Sequence, residues 1–157
     1  MAEKRPKYQK DIGWFPPDAV DRLSPGPGVY GLLIRLPCQF HGEVGVLGQV
    51  TMPPGTYFYL GSAYGPGGLP ARLRRHLLAD KRPHWHVDHL TTAGTVVRVF
   101  ALPHGRECYL VEFALQVPAI HALIAGFGSS DCRRCASHLL AIPENSAALI
   151  NAFSTLI

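Results

Sequence analysis

Residues 132 to 138 read "CRRCASH" and set Cys132, Cys135 and His138 two residues apart from one another. Thiolates and an imidazole at that spacing make half of a zinc site. A fourth donor would come from elsewhere, such as Cys108 or a histidine near residues 84 to 89. The competing reading is a loop of buried thiols beside a hydrogen-bonded Asp131. A second group of donors lies in "HWHVDHL", which holds His84, His86, Asp88 and His89. Histidine with carboxylate suits Zn²⁺ or Mn²⁺; contact with nucleic acid and plain packing around Trp85 are the competing readings, packing being the commoner role for such a stretch. The third group lies in "YFYLGSAYGPGGLPARLRRHLL" (57 to 78), where a glycine turn leads into an arginine-bearing segment. This turn has neither a GxxxxGK[ST] nor a GxGxxG pattern, and no lysine opens the helix that follows. The glycines are therefore read as a sharp strand-to-helix turn rather than a nucleotide cradle. Arg72 and His76 then become groups that could act on a phosphodiester.

The elements that must position these groups are legible from periodicity. "GVYGLLIRL" (28 to 36) is too apolar to alternate and reads as a central strand buried on both faces. "EVGVLGQV" (43 to 50) is a candidate second strand, "TYFYLG" (56 to 61) a third, and "TVVRVFAL" (95 to 102) a fourth. Pro70 suits the first turn of a helix whose buried stripe is Leu69, Leu73 and Leu77. Arg72 and His76 fall beside that stripe, and Arg74 and Arg75 farther round. "HWHVDHL" predicts a short helix, and "ECYLVEFALQV" (107 to 117) another, with Glu107 in its first turn. A last helix is expected from Pro143. Residues 1 to 26 read as a basic, proline-rich tail and lead-in pinned by Trp14 and Phe15, and 27 to 157 as a single domain. The expected class is α+β, a small antiparallel sheet of three to four strands flanked by helices.

Composition narrows the function. With 157 residues and 47% hydrophobic content the chain can bury one core. No apolar run approaches the roughly 18 to 20 residues of a membrane span, and no apolar stretch follows the basic start, so a cytoplasmic protein with reduced cysteines is expected. The net charge is +4, but its distribution is uneven. Lys4, Arg5, Lys7 and Lys10 face only Glu3, and Arg72, Arg74, Arg75, Lys81 and Arg82 face only Asp80, while the remainder is net acidic. That concentration suits a modest phosphate-binding surface with Arg74, Arg75, Lys81 and Arg82 as its contacts; the alternative is a solvated helix face.

"GVY" (28 to 30) and "YLG" (59 to 61) resemble the paired tripeptides of the GIY-YIG nuclease superfamily, followed as there by an arginine-bearing helix and later by a helix with one glutamate. More closely, the chain resembles a poorly characterised prokaryotic branch of it, sometimes fused to endonuclease III-type repair enzymes. The shared motifs are "GSAYGPGGLPARLRRH", "KRPHWHVDHL", the "EC" helix and "GFGSSDC…SHL", in order across about residues 26 to 142. The resemblance implies a metal-dependent endonuclease acting on DNA, with RNA also open. It implies Tyr30 as general base, Tyr59 orienting water or phosphate, Arg72 on the phosphate, His76 steadying a base or leaving group, and Glu107 holding Mg²⁺ or Mn²⁺. Tyrosine, whose pKa is near ~10, is a poor base unless cations lower it, which Arg72 and the ion would do. The alternative is a non-catalytic nucleic-acid-binding or adaptor module, zinc-braced at Cys132, Cys135 and His138. On the residues alone, Tyr30 and Tyr59 also read as strand aromatics, and Arg72 as a structural partner of Glu107. The tripeptide tyrosines lie 29 residues apart, so an inserted strand or loop must separate them without disturbing the site.

Overall fold

The strand "GVYGLLIRL" is the middle of the molecule. In the computed structural model, which describes residues 11–157, it forms β2 (Gly28–Leu36). Its neighbours are β5 (Gly55–Ala63) and β6 (Thr95–Pro103), both antiparallel. Tyr30, Leu32, Ile34 and Leu36 point to one face of the sheet, and Val29 and Leu33 to the other. Both faces are covered, which is why the strand carries almost no polar residue.

The whole sheet has six strands in the order β1-β6-β2-β5-β8-β7. The α+β class stands, but the sheet is larger than the three to four strands expected. The additional edges are β1 (Gly13–Phe15), which pairs with β6, and the antiparallel pair β7 (His121–Ala122) and β8 (Leu139–Ile142) beside β5. "EVGVLGQV" is not one strand. Gly45 and Gly48 have positive φ and bend it into a one-turn 3₁₀ helix (Gly45–Leu47). The flanks β3 (Phe40–Glu43) and β4 (Gln49–Met52) pair with each other as a separate hairpin. This hairpin is the insertion between the two tripeptides, and it anchors through buried Val44, Val50 and Met52.

Two helices cover each face. On the side of Tyr30 lie α1 (Gly68–Leu77) and α2 (His86–Ala93), anchored by Leu69, Leu73, Val87 and Leu90. On the other side lie α3 (Glu107–Leu115) and α4 (Ala147–Ser154), anchored by Leu110, Val111, Leu149 and Phe153. The glycine turn before α1 has a packing reason. A side chain on Gly68 would collide with the Gly26 backbone, whose carbonyl accepts the Leu69 N–H at 2.9 Å. The lead-in is also built into the fold, since a 3₁₀ helix at Pro17–Arg22 buries Val20, and Trp14 packs among Phe58, Phe100 and Phe153. The basic stretch Lys4 to Lys10 lies outside the described residues.

Candidate functional site

The β2–β5 register opposes Tyr30 to Gly61 and Leu32 to Tyr59. That offset puts both tyrosine rings on one face with centroids 6.4 Å apart, and Gly61 leaves the space the Tyr30 ring occupies. Both rings border a cavity of about 480 Å³. Arg72 enters it from α1 and Glu107 from the first turn of α3, so four of the five candidate catalytic side chains meet there. A cavity of similar size, about 460 Å³, lies between the Pro17 region, α1 and the end of α2. Its lining brings only His76 and Asp18 as titratable groups, so convergence rather than volume distinguishes the first.

His76 stands behind the cavity wall. It is buried, and its Nε2 lies 2.6 Å from the Tyr30 hydroxyl while its Nδ1 lies 3.2 Å from Asp88 Oδ1. Asp88, also buried, is the third residue of α2 and reaches back to accept the N–H groups of His84 (2.8 Å) and Trp85 (3.0 Å). That is the carboxylate half of a capping box, turned to hold a histidine as well. Burial alone would raise the Asp88 carboxyl. The His76 contact and the two backbone donors overcome it and hold the group far below its usual value. Burial pushes His76 below its usual range, against the pull of Asp88. The ionised carboxylate can only accept, so Nδ1 carries the proton and Nε2 accepts the Tyr30 O–H.

Tyr30 differs from the expectation of a cation-lowered phenol. Its burial, reinforced by Tyr59, raises it well above the ordinary value and outweighs the downward pull of Arg72. Tyr59 is raised by burial too, again against Arg72. The resting cavity therefore holds two neutral phenols, and Tyr30 already has a proton acceptor in His76.

Arg72 does not pair with Glu107. Its guanidinium lies 4.1 Å from the Trp85 ring centroid, and Nη1 donates to the Ser62 carbonyl at 3.0 Å. Stacking and one hydrogen bond fix the group while leaving other N–H donors for an anion. The rest of the basic segment is differently employed. Arg74 pairs with Asp21 at 2.7 Å, away from the cavity. Lys81 donates to the carbonyls of His76 and Leu78 at the end of α1. Arg75 donates to the Arg82 carbonyl and lies 3.5 Å from Asp88. Arg75 also borders, with Gly65, Pro66, Arg72 and Trp85, a shallow groove adjoining the cavity.

Among the described residues the "HWHVDHL" donors do not gather into a cluster of three or more ligand atoms. His84 precedes α2 and packs its ring on Trp85, His86 Nδ1 accepts the Gly128 N–H at 2.9 Å, and His89 lies beside Phe40. Cys132, Cys135 and His138, in contrast, meet Cys108, and their donor atoms all lie within 4.8 Å of one another, so these four residues could hold a metal ion. Two backbone N–H groups, from Cys135 (3.3 Å) and Arg134 (3.4 Å), donate to Cys132 Sγ and lower its thiol pKa. Cys132 and His138 also line the tyrosine cavity. Pattern reading took Asp88 as a metal donor and Trp85 as a packing anchor; it did not place Asp88 behind His76 or Trp85 against Arg72. The one signal for a local role of Asp88 was its place three residues after Trp85 at a helix start.

The chain belongs to the family described as "Domain of unknown function DUF123", which matches residues 29–157. No curated protein and no solved structure matches it. Among the described residues no helix is long and apolar enough to cross a membrane.

Proposed function

We propose that the protein is a divalent-metal-dependent endonuclease that hydrolyses phosphodiester bonds of DNA, in repair or processing. The observation that carries this reading is the convergence of Tyr30, Tyr59, Arg72 and Glu107, from four separate elements, on one open cavity with a basic groove beside it. The resemblance to the GIY-YIG superfamily supports the same assignment of roles.

The chain's own groups account for the main needs of the reaction. Arg72 would clamp the non-bridging oxygens bidentately, held on target by Trp85 and Ser62. Water attacking phosphorus would pass its proton to the Tyr30 oxygen as the Tyr30 proton moves to His76 Nε2. The resulting imidazolium would face the Asp88 carboxylate, which stabilises it and keeps the ring in the correct tautomer. A neutral phenol with an acceptor behind it thus serves as base without first being ionised. Tyr59 would orient the water or the phosphate from beside Tyr30 on the same sheet face.

Glu107 fits a hard ion. It is a half-buried carboxylate on the cavity wall, and no ion pair to a basic side chain is seen for it among the described residues. Mg²⁺ or Mn²⁺ bound there would neutralise developing charge on the phosphate and the leaving oxygen. The Cys/His cluster suits a different ion, zinc, because thiolate and imidazole are softer donors than a reaction Mg²⁺ takes.

The test is incubation of the protein with duplex, nicked, flap and single-stranded DNA in Mg²⁺ or Mn²⁺, beside Arg72→Ala. The proposal expects metal-dependent cleavage by the wild type and its loss in the variant. Salt-sensitive binding with no cleavage of any substrate would replace it with a binding module.

A further inference from the structure

We infer that Cys108, Cys132, Cys135 and His138 form a closed, four-coordinate zinc site that fastens the start of α3 to the loop before β8. The inference does not depend on the nuclease reading.

The four donors come from two distant stretches. Cys108 is the second residue of α3, and the other three belong to the 132–138 loop. Their mutual separations, up to 4.8 Å with Cys108 and Cys132 at 3.5 Å, bracket the edge of a tetrahedron. For zinc–sulfur bonds of about 2.3 Å that edge is about 3.8 Å. Loading would therefore need only side-chain adjustment.

Two further observations point to an ion rather than to packing alone. His138 is only 4% exposed, yet its Nε2 has no hydrogen-bond partner. A buried imidazole nitrogen left unpaired is costly, and a metal bond removes that cost. The His138 backbone is held on both sides, the N–H donating to the Phe127 carbonyl and the carbonyl accepting the Leu60 N–H, each at 2.9 Å, so the ring is presented from a fixed position. Second, the backbone N–H groups of Arg134 and Cys135 both point at Cys132 Sγ, at 3.4 and 3.3 Å, the kind of outer contact that orients a ligating sulfur.

All four positions are protein ligands, so no site is left for water or substrate, and the ion is structural. Its consequence is local. Glu107 precedes one ligand, and the Gly128–Cys132 wall of the cavity precedes the others, so zinc would set the distance between them.

The test is metal analysis of the purified full chain, followed by exchange with Co²⁺. The expected result is one zinc per chain in the wild type and in Cys38→Ser, whose thiol is exposed and belongs to no cluster. Co²⁺ should give thiolate charge-transfer and tetrahedral ligand-field bands. Cys135→Ser and His138→Gln should each lose the metal or alter the Co²⁺ spectrum. If neither variant is recovered folded, release of one zinc from the wild type by a thiol-modifying reagent gives the same answer. A wild-type chain that contains no zinc and takes up no Co²⁺ overturns the inference. So does a disulfide between two of the three cysteines in the purified protein, or a Co²⁺ spectrum unchanged by both substitutions.

Discussion

Replacing Gly61 by alanine tests whether the Tyr30–His76 contact is the working part of the site. A Cβ at this position would lie 2.5 Å from the Tyr30 hydroxyl oxygen and 2.6 Å from its Cζ. Ordinary contact begins at 3.4 Å, so the hydroxyl would have to retreat by about 0.9 Å, the difference between 3.4 and 2.5. Tyr30 is 1% exposed, and the ring is rigid, so the displacement cannot be absorbed by a flexible end. The hydrogen bond to His76 is 2.6 Å long, and a retreat of that size along it stretches it to about 3.5 Å, outside hydrogen-bond range. Overpacking of this kind costs about 1–3 kcal/mol, and loss of a general base costs roughly 10²–10⁴ in rate. Urea unfolding would read the first number and single-turnover cleavage the second. The decisive form is a double-mutant cycle with His76→Ala. Once His76 is gone the relay is already broken, so Gly61→Ala should lower the cleavage rate little further. If Gly61→Ala cleaves at the wild-type rate, or imposes its full loss on top of His76→Ala, the relay argument is wrong.

Asp88→Asn should destabilise the fold by about 1.5–3 kcal/mol at pH 7, because it weakens the charge-assisted hydrogen bonds that the carboxylate accepts from His76 and from the His84 and Trp85 N–H groups. The wild-type chain should also lose stability on acidification. His76 is held below its ordinary 6.5, so the unfolded chain takes up that proton first as pH falls through 6.5. Asp88 is held far below its ordinary 3.8, so its contribution is full above 3.8 and is lost below it. Asp88→Asn should abolish the loss below 3.8, which denaturant melts at pH 7, 5 and 3 would detect; a slope identical to wild type contradicts the assignment. Arg72→Lys keeps the charge but loses the fork and most of the stack on Trp85. DNA affinity by fluorescence anisotropy should fall several-fold, in line with the ~0.5–2 kcal/mol of a cation–π contact, and unchanged affinity would remove Arg72 from the phosphate site.

The parts of the fold that could be read from sequence are those whose pattern is dictated locally. β2 begins and ends where its apolar run does, and α1 shows its Leu69–Leu73 stripe inward with Arg72 and His76 beside it. The sheet edges were not legible. β1 and β7 are three and two residues long, and nothing but pairing with a neighbour makes them strands. α4 starts at Ala147 rather than at Pro143, since Asn145 turns the chain and its Oδ1 accepts the Ala147 N–H. At the site, helix periodicity was enough to bring Arg72 and His76 toward the tyrosines. It could not reveal Asp88, whose partner lies on a different helix and whose company of histidines suggested a metal instead. Charge clustering could not show that Lys81 also caps the carbonyls at the end of α1 or that Arg74 pairs with Asp21, contacts that depend on the fold. The ligand spacing of Cys132, Cys135 and His138 was visible, whereas choosing Cys108 over a histidine required the approach of α3 to the loop.

The most direct test of the central claim is cleavage of the mixed DNA panel in Mg²⁺ or Mn²⁺ by wild type beside Glu107→Gln, with the zinc content of both measured first. The account predicts cutting by the wild type, a fall of at least ~10² in the variant, and retained DNA binding by both. Equal cutting by the two proteins would contradict the metal assignment, and binding without cutting by either would contradict the nuclease itself.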